Sequence, residues 1–441
     1  MSVLSIYRHM FAIPDLRKKI LFTLAMFAVY RLGANIPVPG TDLEAIRQFA
    51  TLNETGGIYG LLNLFSGGAL EQFSVFALGI LPYITASIIM QLLTVVIPKL
   101  QALQEEGQSG QKIITQWTRY LTVVLALIQS TGFTWAFGRG SQLTQGIVFI
   151  PNYVWWNVGL IVLTMTAGTA FVMWLGELIT QRGVGNGMSL LIFLSILSQF
   201  PSVFGQIWLQ TAGNQNWVGF VVIMLVFLAM IAAIIFIDQG QRRIPIQFAK
   251  RVRGRRMMGG NATYIPLKVN TAGVIPVIFA TSVMLFPALL ATAIPSDGLI
   301  MTGIRNWVDR NLGGGGSGTI SWWYVLILFG LVVFFTYFYT AIQFDPTRQA
   351  DMIQRQGGFI PGQRPGPQTA RYLSHILNRI TLPGALFLGF ISILPILAGL
   401  IWGINISFSG VSILIVVGVA LETMKQIESQ LTMRNYEGFL T

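Results

Sequence analysis

The sequence predicts an all-α polytopic membrane protein with ten transmembrane helices in two inverted five-helix halves, plus one short re-entrant helix. Three observations indicate this fold class. Of the 441 residues, 53% are hydrophobic and only 10% are charged, whereas soluble domains have about 25% charged residues. Long apolar runs recur from Ile20 towards the C-terminus. Lysine and arginine residues are concentrated in the polar segments between alternate runs.

Ten apolar runs are long enough to cross a membrane, which takes a helix of about 20 residues. Among Asp, Glu, Lys and Arg, these runs contain only Arg31 and Arg119, near the ends of the first and third. Tryptophan and tyrosine residues, such as Trp155 and Trp217, collect at the edges of the runs, as in aromatic belts. The predicted spans cover residues 20–36, 73–97, 119–137, 153–175, 187–204, 217–237, 271–294, 322–343, 380–400 and 404–421.

The basic residues fix the orientation of these spans. With the N-terminus inside, 23 of the 28 lysine and arginine residues fall in cytoplasmic segments, as the positive-inside rule requires. Both termini are therefore expected in the cytoplasm. Ten spans divide into halves of five, 1–204 and 205–441, and a repeated half with an odd number of spans would be inverted. No cleavable signal sequence or transit peptide is recognisable, which favours a bacterial inner membrane.

One apolar segment is too short to cross the membrane. It begins at Gly57, ends at Gly67-Gly68, and covers only about half of the length that a span needs. Non-helical backbone at membrane depth is tolerated only where protein or a cavity surrounds it. We therefore expect a short helix in residues 57–66 to enter the membrane from the outer side, just ahead of the second span. The alternative is a helix that lies on the outer surface.

Residues that carry catalysis are scarce. The chain has no cysteine, and its two histidines, His9 and His375, lie in polar flanks. The glycines of residues 182–187 lack the Lys-Ser/Thr ending of a phosphate-binding loop. The sequence therefore predicts no enzyme, metal or cofactor. Ion-coupled transport usually needs ionisable groups near mid-membrane, and the spans contain no acid; a secondary transporter of a small solute stays as the alternative function.

Isoleucine recurs along the second span and at comparable depth in later ones. Ile80, Ile84 and Ile88 are spaced by four residues and so share one helix face. β-Branched side chains are stiff, so a ring of them could form a close-fitting constriction. The alternative is that they face lipid or the helix bundle. The later members of the set are Ile192, Ile278 and Ile415.

Two cytoplasmic loops, at residues 238–270 and 344–379, are large and basic. The first holds eight basic residues against one acid, Asp238. Topology alone needs fewer, so we expect a docking surface; the alternatives are a topology determinant and a site for anionic lipid. Nucleic acid such as ribosomal RNA is one expected partner. The second loop presents Arg364 on a turn rich in Pro and Gly, which suits pairing with an acidic partner or a phosphate.

Six separate segments of the chain occur in the order found in one family of membrane channels. They are Ala77–Pro98, Gly185–Phe193, Gly240–Arg251, Tyr264–Ala280, Phe359–Thr369 and Ser409–Thr423. On these segments the chain resembles the SecY family of protein-conducting channels over essentially its whole length. The resemblance implies two five-helix halves that open laterally between the second and seventh spans.

The family resemblance also assigns residues. The implied pore ring is Ile80, Ile84, Met188, Ile192, Ile278 and Ile415, where Met188 departs from the isoleucine pattern. The implied lateral gate includes Ile84, Ser87, Gln91, Thr94, Ile278 and Ser282. The implied plug, which closes the outer funnel, is Gly57, Ile58, Tyr59, Gly60, Leu61, Leu62, Asn63, Leu64, Phe65, Ser66, Gly67, Gly68, Ala69 and Leu70.

The same resemblance implies a passive channel for secretion of unfolded preproteins and for lateral insertion of membrane proteins. The ATPase SecA or the ribosome would drive it, and SecE and SecG would be its fellow subunits. Other implied partners are preprotein signal sequences, anionic lipids, and the ribosomal RNA and proteins near the exit tunnel. A membrane receptor for ribosomes without a pore is a weaker alternative. The implied docking residues for SecA or the ribosome are Lys250, Arg251, Arg255, Arg256 and Arg364.

Overall fold

A computed structural model describes residues 13–52, 63, 65–138, 148–151, 153–213, 217–248, 251–253, 256–258, 262–293, 303, 307–308, 311, 321–402 and 409–437. Helices dominate these residues. They are α1 Pro14–Ala34, α2 Leu43–Leu52, α3 Leu81–Val96, α4 Pro98–Glu105, α5 Gln108–Gly138, α6 Trp155–Arg182, α7 Gly187–Gly213, α8 Trp217–Gln239, α9 Ile275–Ala293, α10 Trp322–Gln343, α11 Pro346–Arg355, α12 Pro367–Trp402 and α13 Gly410–Glu437.

Each of the ten predicted spans overlaps a different long helix, namely α1, α3, α5 to α10, α12 and α13. Within the described ranges, six helices are long and apolar enough to cross a membrane, or up to seven if the bent pair α3–α4 is one span. Helix α1 falls outside this group since it carries several charges, among them Arg17 and Arg31. The prediction of a helical, multi-pass membrane protein is confirmed.

The second span begins later than predicted. We placed its start at residue 73, but α3 begins at Leu81 and residues 67–80 form a series of turns. Gly67, Gly79 and even Phe73 have positive φ angles, of 70°, 55° and 44°. Such backbone cannot continue a helix. It is tolerated here because the segment is buried inside the protein and several of its backbone N–H groups are hydrogen-bonded, such as those of Ser74 to the Ala69 carbonyl oxygen and Val75 to the Ile36 carbonyl oxygen.

The first basic loop contains β-strands, which the purely helical prediction missed. The strands of this region are β1 Gln241–Phe248, β2 Arg251–Arg253, β3 Arg256–Met258, β4 Ala262–Lys268 and β5 Gly358–Phe359. Strand β1 pairs antiparallel with β4, with Ile244 opposite Ile265, and also with β5 from the second loop. The alternation of Ile244 and Ile246 with exposed neighbours was the signal in the sequence, because alternate side chains share one face of a strand.

The two basic loops therefore fold as one unit. Helix α11 starts at the N-cap Asp345, whose carboxylate accepts hydrogen bonds from the backbone N–H groups of Thr347 and Arg348. Its buried face, together with α12, covers the sheet. A separate apolar core results, formed by Ile244, Ile246, Leu267, Ile353, Ile360, Leu373 and Ile376.

The long helices pack mostly in two groups. In the first, α6 contacts α1, α5 and α7, and α3 contacts α5. In the second, α12 contacts α8, α9, α10 and α13. Contacts between the groups run through α7 with α8 and α13, and through α9 with α3 and α5. The pore residues predicted from the sequence lie on the helices that face this boundary.

Candidate functional site

The six predicted pore-ring residues lie in one hydrophobic core. Five of them are buried, and half-buried Ile84 packs against the same core. Ile80 is the N-cap of α3, and the others lie on α3, α7, α9 and α13, in a core that also includes buried residues of α6, α8, α10 and α12. Their exposed fractions are 2% for Ile80, 9% for Met188, 5% for Ile192, 7% for Ile278 and 0% for Ile415.

Met188 contacts helix α6. A Cβ on Gly176 would lie 2.4 Å from the Met188 sulfur, so the glycine makes room for the thioether. One residue earlier, a Cβ on Gly187 would lie 2.0 Å from the Gly176 carbonyl oxygen. The start of α7 therefore packs directly on the backbone of α6. A flexible thioether suits this irregular contact better than a stiff β-branched side chain.

Only the end of the predicted plug lies within the described residues, because residues 57–62 and 64 fall outside them. Phe65 and Leu70 are buried in the same core as the pore-ring residues. Asn63 donates from its side-chain amide to the Glu71 carboxylate at 2.9 Å and accepts from the Glu71 backbone N–H at 3.2 Å. The end of the segment is thus packed inside the protein, which argues against a helix that lies on the outer surface.

The predicted gate residues lie on α3 and α9, and these two helices are in contact. Ile84, Ser87 and Ser282 are half-buried, Thr94 is buried and Gln91 is exposed. Thr94 donates from its hydroxyl to the Gln91 carbonyl oxygen at 2.7 Å, which satisfies this polar group within its own helix. Separation of α3 from α9 therefore leaves the Thr94 hydroxyl hydrogen-bonded, so it adds no unsatisfied buried group at this position.

A cavity of about 380 Å³ lies between the end of α3 and the helices next to the basic loops. The predicted gate residues Gln91 and Thr94 line it, as does Phe279 of α9. The remaining wall comes from α4, α10 and α11, including Arg348. Sequence reasoning missed the contribution of α4 and α11, since nothing local indicates that these short helices meet.

The predicted docking residues are only partly placed. Lys250 and Arg255 fall outside the described residues. Arg251 lies on β2 and Arg256 on β3, which pair so that Arg253 is opposite Arg256. Arg364 is exposed on the predicted turn, which positive φ angles at Gly362 and Gly366 shape, and its carbonyl accepts from the Thr369 hydroxyl at 2.9 Å. In the described part of the chain, no cluster of His, Asp and Glu could hold a metal ion.

Comparison with known proteins decides the family. The SecY family model matches residues 74–424. The chain belongs to the SecY family. Protein translocase subunit SecY of Streptomyces coelicolor is 52% identical, over 99% of this chain and 100% of the relative. SecY of Mycobacterium tuberculosis is 50% identical, over 97% of each chain.

Solved structures share the SecY fold with this chain at low sequence identity. One, described as the structure of a protein conducting channel, has a TM-score of 0.61 at 17% identity and covers 97% of each chain. A second comes from a study of how the SecY plug domain stabilises the closed channel, and has a TM-score of 0.63 at 17% identity, again over 97% of each chain. The resemblance predicted from sequence motifs is therefore confirmed, and the relatives are channels and translocase subunits rather than enzymes.

Proposed function

We propose that this chain forms the polypeptide path of a bacterial protein translocase, secreting unfolded preproteins and releasing membrane proteins sideways into the bilayer. The observation that carries the proposal is that the predicted ring residues are apolar side chains of one hydrophobic core and lie on helices at the boundary between the two groups. A narrow apolar constriction excludes water and ions by dewetting. It makes no specific contact with a passing chain, so it suits substrates of many sequences.

The gate and plug follow from the same arrangement. The halves 1–204 and 205–441 separate between α3 and α9, and an apolar signal sequence then leaves through this opening into lipid. Residues 57–70 close the outer funnel when no substrate is present. The contact between α7 and α13 supports this geometry, because it joins the halves through helices other than the gate pair α3 and α9.

The chain itself hydrolyses nothing, so partners supply the energy. SecA or the ribosome docks on the basic loops through Lys250, Arg251, Arg255, Arg256 and Arg364, while SecE holds the two halves together and SecG joins them. Anionic lipids contact the same basic surface. The orientation with both termini in the cytoplasm and the inner membrane as the site follow from the basic loops. The secondary transporter of a small solute has no support among the relatives.

Transport by purified components tests the proposal. Vesicles that contain this chain and SecE, with SecA and ATP added, should import a precursor that carries a signal sequence and should reject the same precursor without it. Deletion of residues 57–62 should raise the resting ion leak while import continues. If active SecA and SecE give no import, the channel function is wrong. If a labelled small solute is taken up instead, the secondary-transporter hypothesis replaces the channel function.

Docking is tested separately with charge variants on the second basic loop. Arg364→Gln should weaken ribosome binding and lower the slope of log affinity against log salt by about 0.7 to 0.9, as expected for one lost phosphate contact. Arg371→Gln serves as the control, because Arg371 is also exposed but lies on α12 beyond the turn. An equal effect of both variants would indicate a diffuse charge effect, and would contradict a specific contact at Arg364.

A further inference from the structure

Arg31 is a charged residue near the end of α1, the first predicted span, and the pore and gate leave it unused. Ionisable residues in such segments are costly, and most have a functional partner. Here the guanidinium Nη1 donates to the backbone carbonyl oxygen of Gly67 at 2.9 Å. Gly67 lies at the end of the plug segment. The charge on α1 therefore binds the plug segment where it joins the rest of the protein.

The hydroxyl of the neighbouring Tyr30 contacts the same end of the plug segment. This hydroxyl, almost fully buried, donates to the carbonyl oxygen of Ser66 at 3.2 Å and lies 2.7 Å from the hydroxyl of Ser195 on α7. Tyr30 has one hydroxyl proton, so when it goes to the Ser66 carbonyl oxygen the Ser195 hydroxyl donates to Tyr30, and when Ser195 donates to the Leu191 carbonyl oxygen at 2.9 Å, Tyr30 donates to Ser195. One hydroxyl thus joins α1, α7 and the end of the plug segment.

Backbone packing adds to these hydrogen bonds. Gly67 has a φ of +70°, and a Cβ built on it would lie 3.0 Å from the Ser195 Cα. The chain at Gly67 therefore lies directly on α7. Within the segment, the Ser66 hydroxyl donates to the Asn63 carbonyl at 3.0 Å and accepts from the Leu70 N–H at 3.1 Å. The end of the plug segment is a rigid turn fixed to two helices.

We propose that Tyr30, Arg31 and Ser195 are positioning residues that hold Ser66 and Gly67 against α1 and α7 in both the closed and the open channel. Loss of this anchor therefore frees Ser66 and Gly67 from α1 and α7 and weakens the resting seal. The inference rests on the proposed function of residues 57–70 as the plug. All three contacts come from the first half of the chain, so separation of the halves does not break them.

The first test measures the resting ion leak of vesicles that contain the chain and SecE, without precursor. Arg31→Gln should raise the leak by roughly tenfold, the population change expected when one charge-assisted hydrogen bond is lost. Tyr30→Phe keeps the ring that stacks on Phe76 and removes only the hydroxyl; it should raise the leak less. Arg31→Lys, which keeps a charged donor, should restore part of the seal.

Matched controls exclude a general loss of folding. Arg17→Gln removes an exposed charge from the other end of α1, and Tyr120→Phe removes an exposed hydroxyl on α5; both should leave the leak unchanged. All variants should insert in equal amounts. If Tyr30→Phe and Arg31→Gln leave the leak at the wild-type level, the anchor has no role in the seal.

The second test asks whether the anchor stays fixed during transport. The chain contains no cysteine, and a Cβ at Gly67 would lie 3.2 Å from that of Ser195, close to the spacing of about 3.5 to 4.5 Å in disulfides. The oxidised Gly67→Cys, Ser195→Cys pair should import precursor at the rate of the reduced pair. Import that stops on oxidation and returns with reductant would overturn the proposal.

The deletion of residues 57–62 separates this inference from the proposed function. If the deletion does not raise the leak, the segment is not a plug and the proposed function fails at that point. If the deletion raises the leak but the Arg31 and Tyr30 variants do not, the plug stands and only the anchor is wrong.

Discussion

The carboxylate of Glu105 lies 2.6 Å from the guanidinium of Arg348, although 243 residues separate them in the chain. Glu105 ends α4, which follows the gate helix α3, and Arg348 lies on α11, beside the gate cavity. The pair therefore links the two groups of helices at the gate. Both side chains are more than half exposed, so the pair contributes only about 0 to 1 kcal/mol.

This weak link predicts a small and salt-dependent effect on gating. Glu105→Gln and Arg348→Gln should each raise import of a precursor with a weakened signal sequence, by about fivefold at most. The double variant should behave like either single variant, because one interaction is lost in all three. The gain should shrink at high salt, since salt screens exposed pairs. Effects of the two substitutions that add would show that they do not act through this ion pair.

A polar residue in the ring should let water and ions through. Ile278→Ser places a hydroxyl at the constriction and removes the dewetting that closes it, so single-channel recordings should show a higher resting conductance. Ile278→Val keeps an apolar, β-branched side chain and should stay near wild type. Unchanged conductance of the serine variant, with normal insertion, would remove Ile278 from the seal.

Two glycines of α6 should differ sharply on substitution. A Cβ on Gly168 would lie 2.0 Å from the carbonyl oxygen of Val75, whereas Gly159 has nothing within 4 Å. Gly168→Ala should therefore push the turn segment before α3 away and lower the melting temperature in detergent. Gly159→Ala should be neutral or stabilise the helix by up to about 1 kcal/mol. Equal melting temperatures for the two variants would contradict this close approach.

The cap of α11 should make the cytoplasmic unit sensitive to acid. The hydroxyl of Thr347 and the backbone N–H groups of Thr347 and Arg348 donate to Asp345 and hold the pKa of its carboxyl below the ordinary value. A lowered pKa stabilises the fold above the ordinary pKa of about 3.9, and this contribution disappears as the pH falls through the lowered value.

Substitution of Asp345 tests the cap. Asp345→Ala should destabilise α11 by about 1 kcal/mol at pH 7, and hydrogen exchange of the α11 amides would measure the loss. The difference from wild type should shrink as the pH falls through the lowered pKa, to what an uncharged capping oxygen contributes. Asp345→Asn keeps a capping oxygen without the charge, so it should lie between the alanine variant and wild type at pH 7. A difference between the alanine variant and wild type that does not change with pH would show that the charge of Asp345 does not stabilise the helix.

Much of the helical fold could be predicted because lipid imposes a simple rule: a span needs a long apolar run. Helix α8 is the most hydrophobic of the candidate spans in the described ranges, and only 17% of its apolar stretch is buried inside the protein. Hydropathy alone is therefore enough to predict it. Residues 73–80 are also mostly apolar but form turns, because their packing among helices rather than their hydropathy decides their conformation. The sheet of the basic loops was missed for a related reason, since Ile244 and Ile246 pack on α11 and α12, far away in the chain.

The residues of the candidate site also divide into those that the sequence predicts and those that it does not. Ile80 and Ile278 could be identified by position within apolar runs and by family resemblance. Tyr30, Ser195 and the Glu105–Arg348 pair could not, because their partners are backbone carbonyls or charges more than 30 residues away. Their spacing in the sequence carries no information about those contacts.

Photocrosslinking from Ile278 tests the central claim that a polypeptide passes through the isoleucine ring. A precursor stalled during SecA-driven import should crosslink to a probe at Ile278, and the crosslink should need ATP and the signal sequence. A probe at Leu228, which is 61% exposed on the lipid-facing helix α8, should give none. If import proceeds and the precursor contacts Leu228 as often as Ile278, or never contacts Ile278, the pore does not run through this ring.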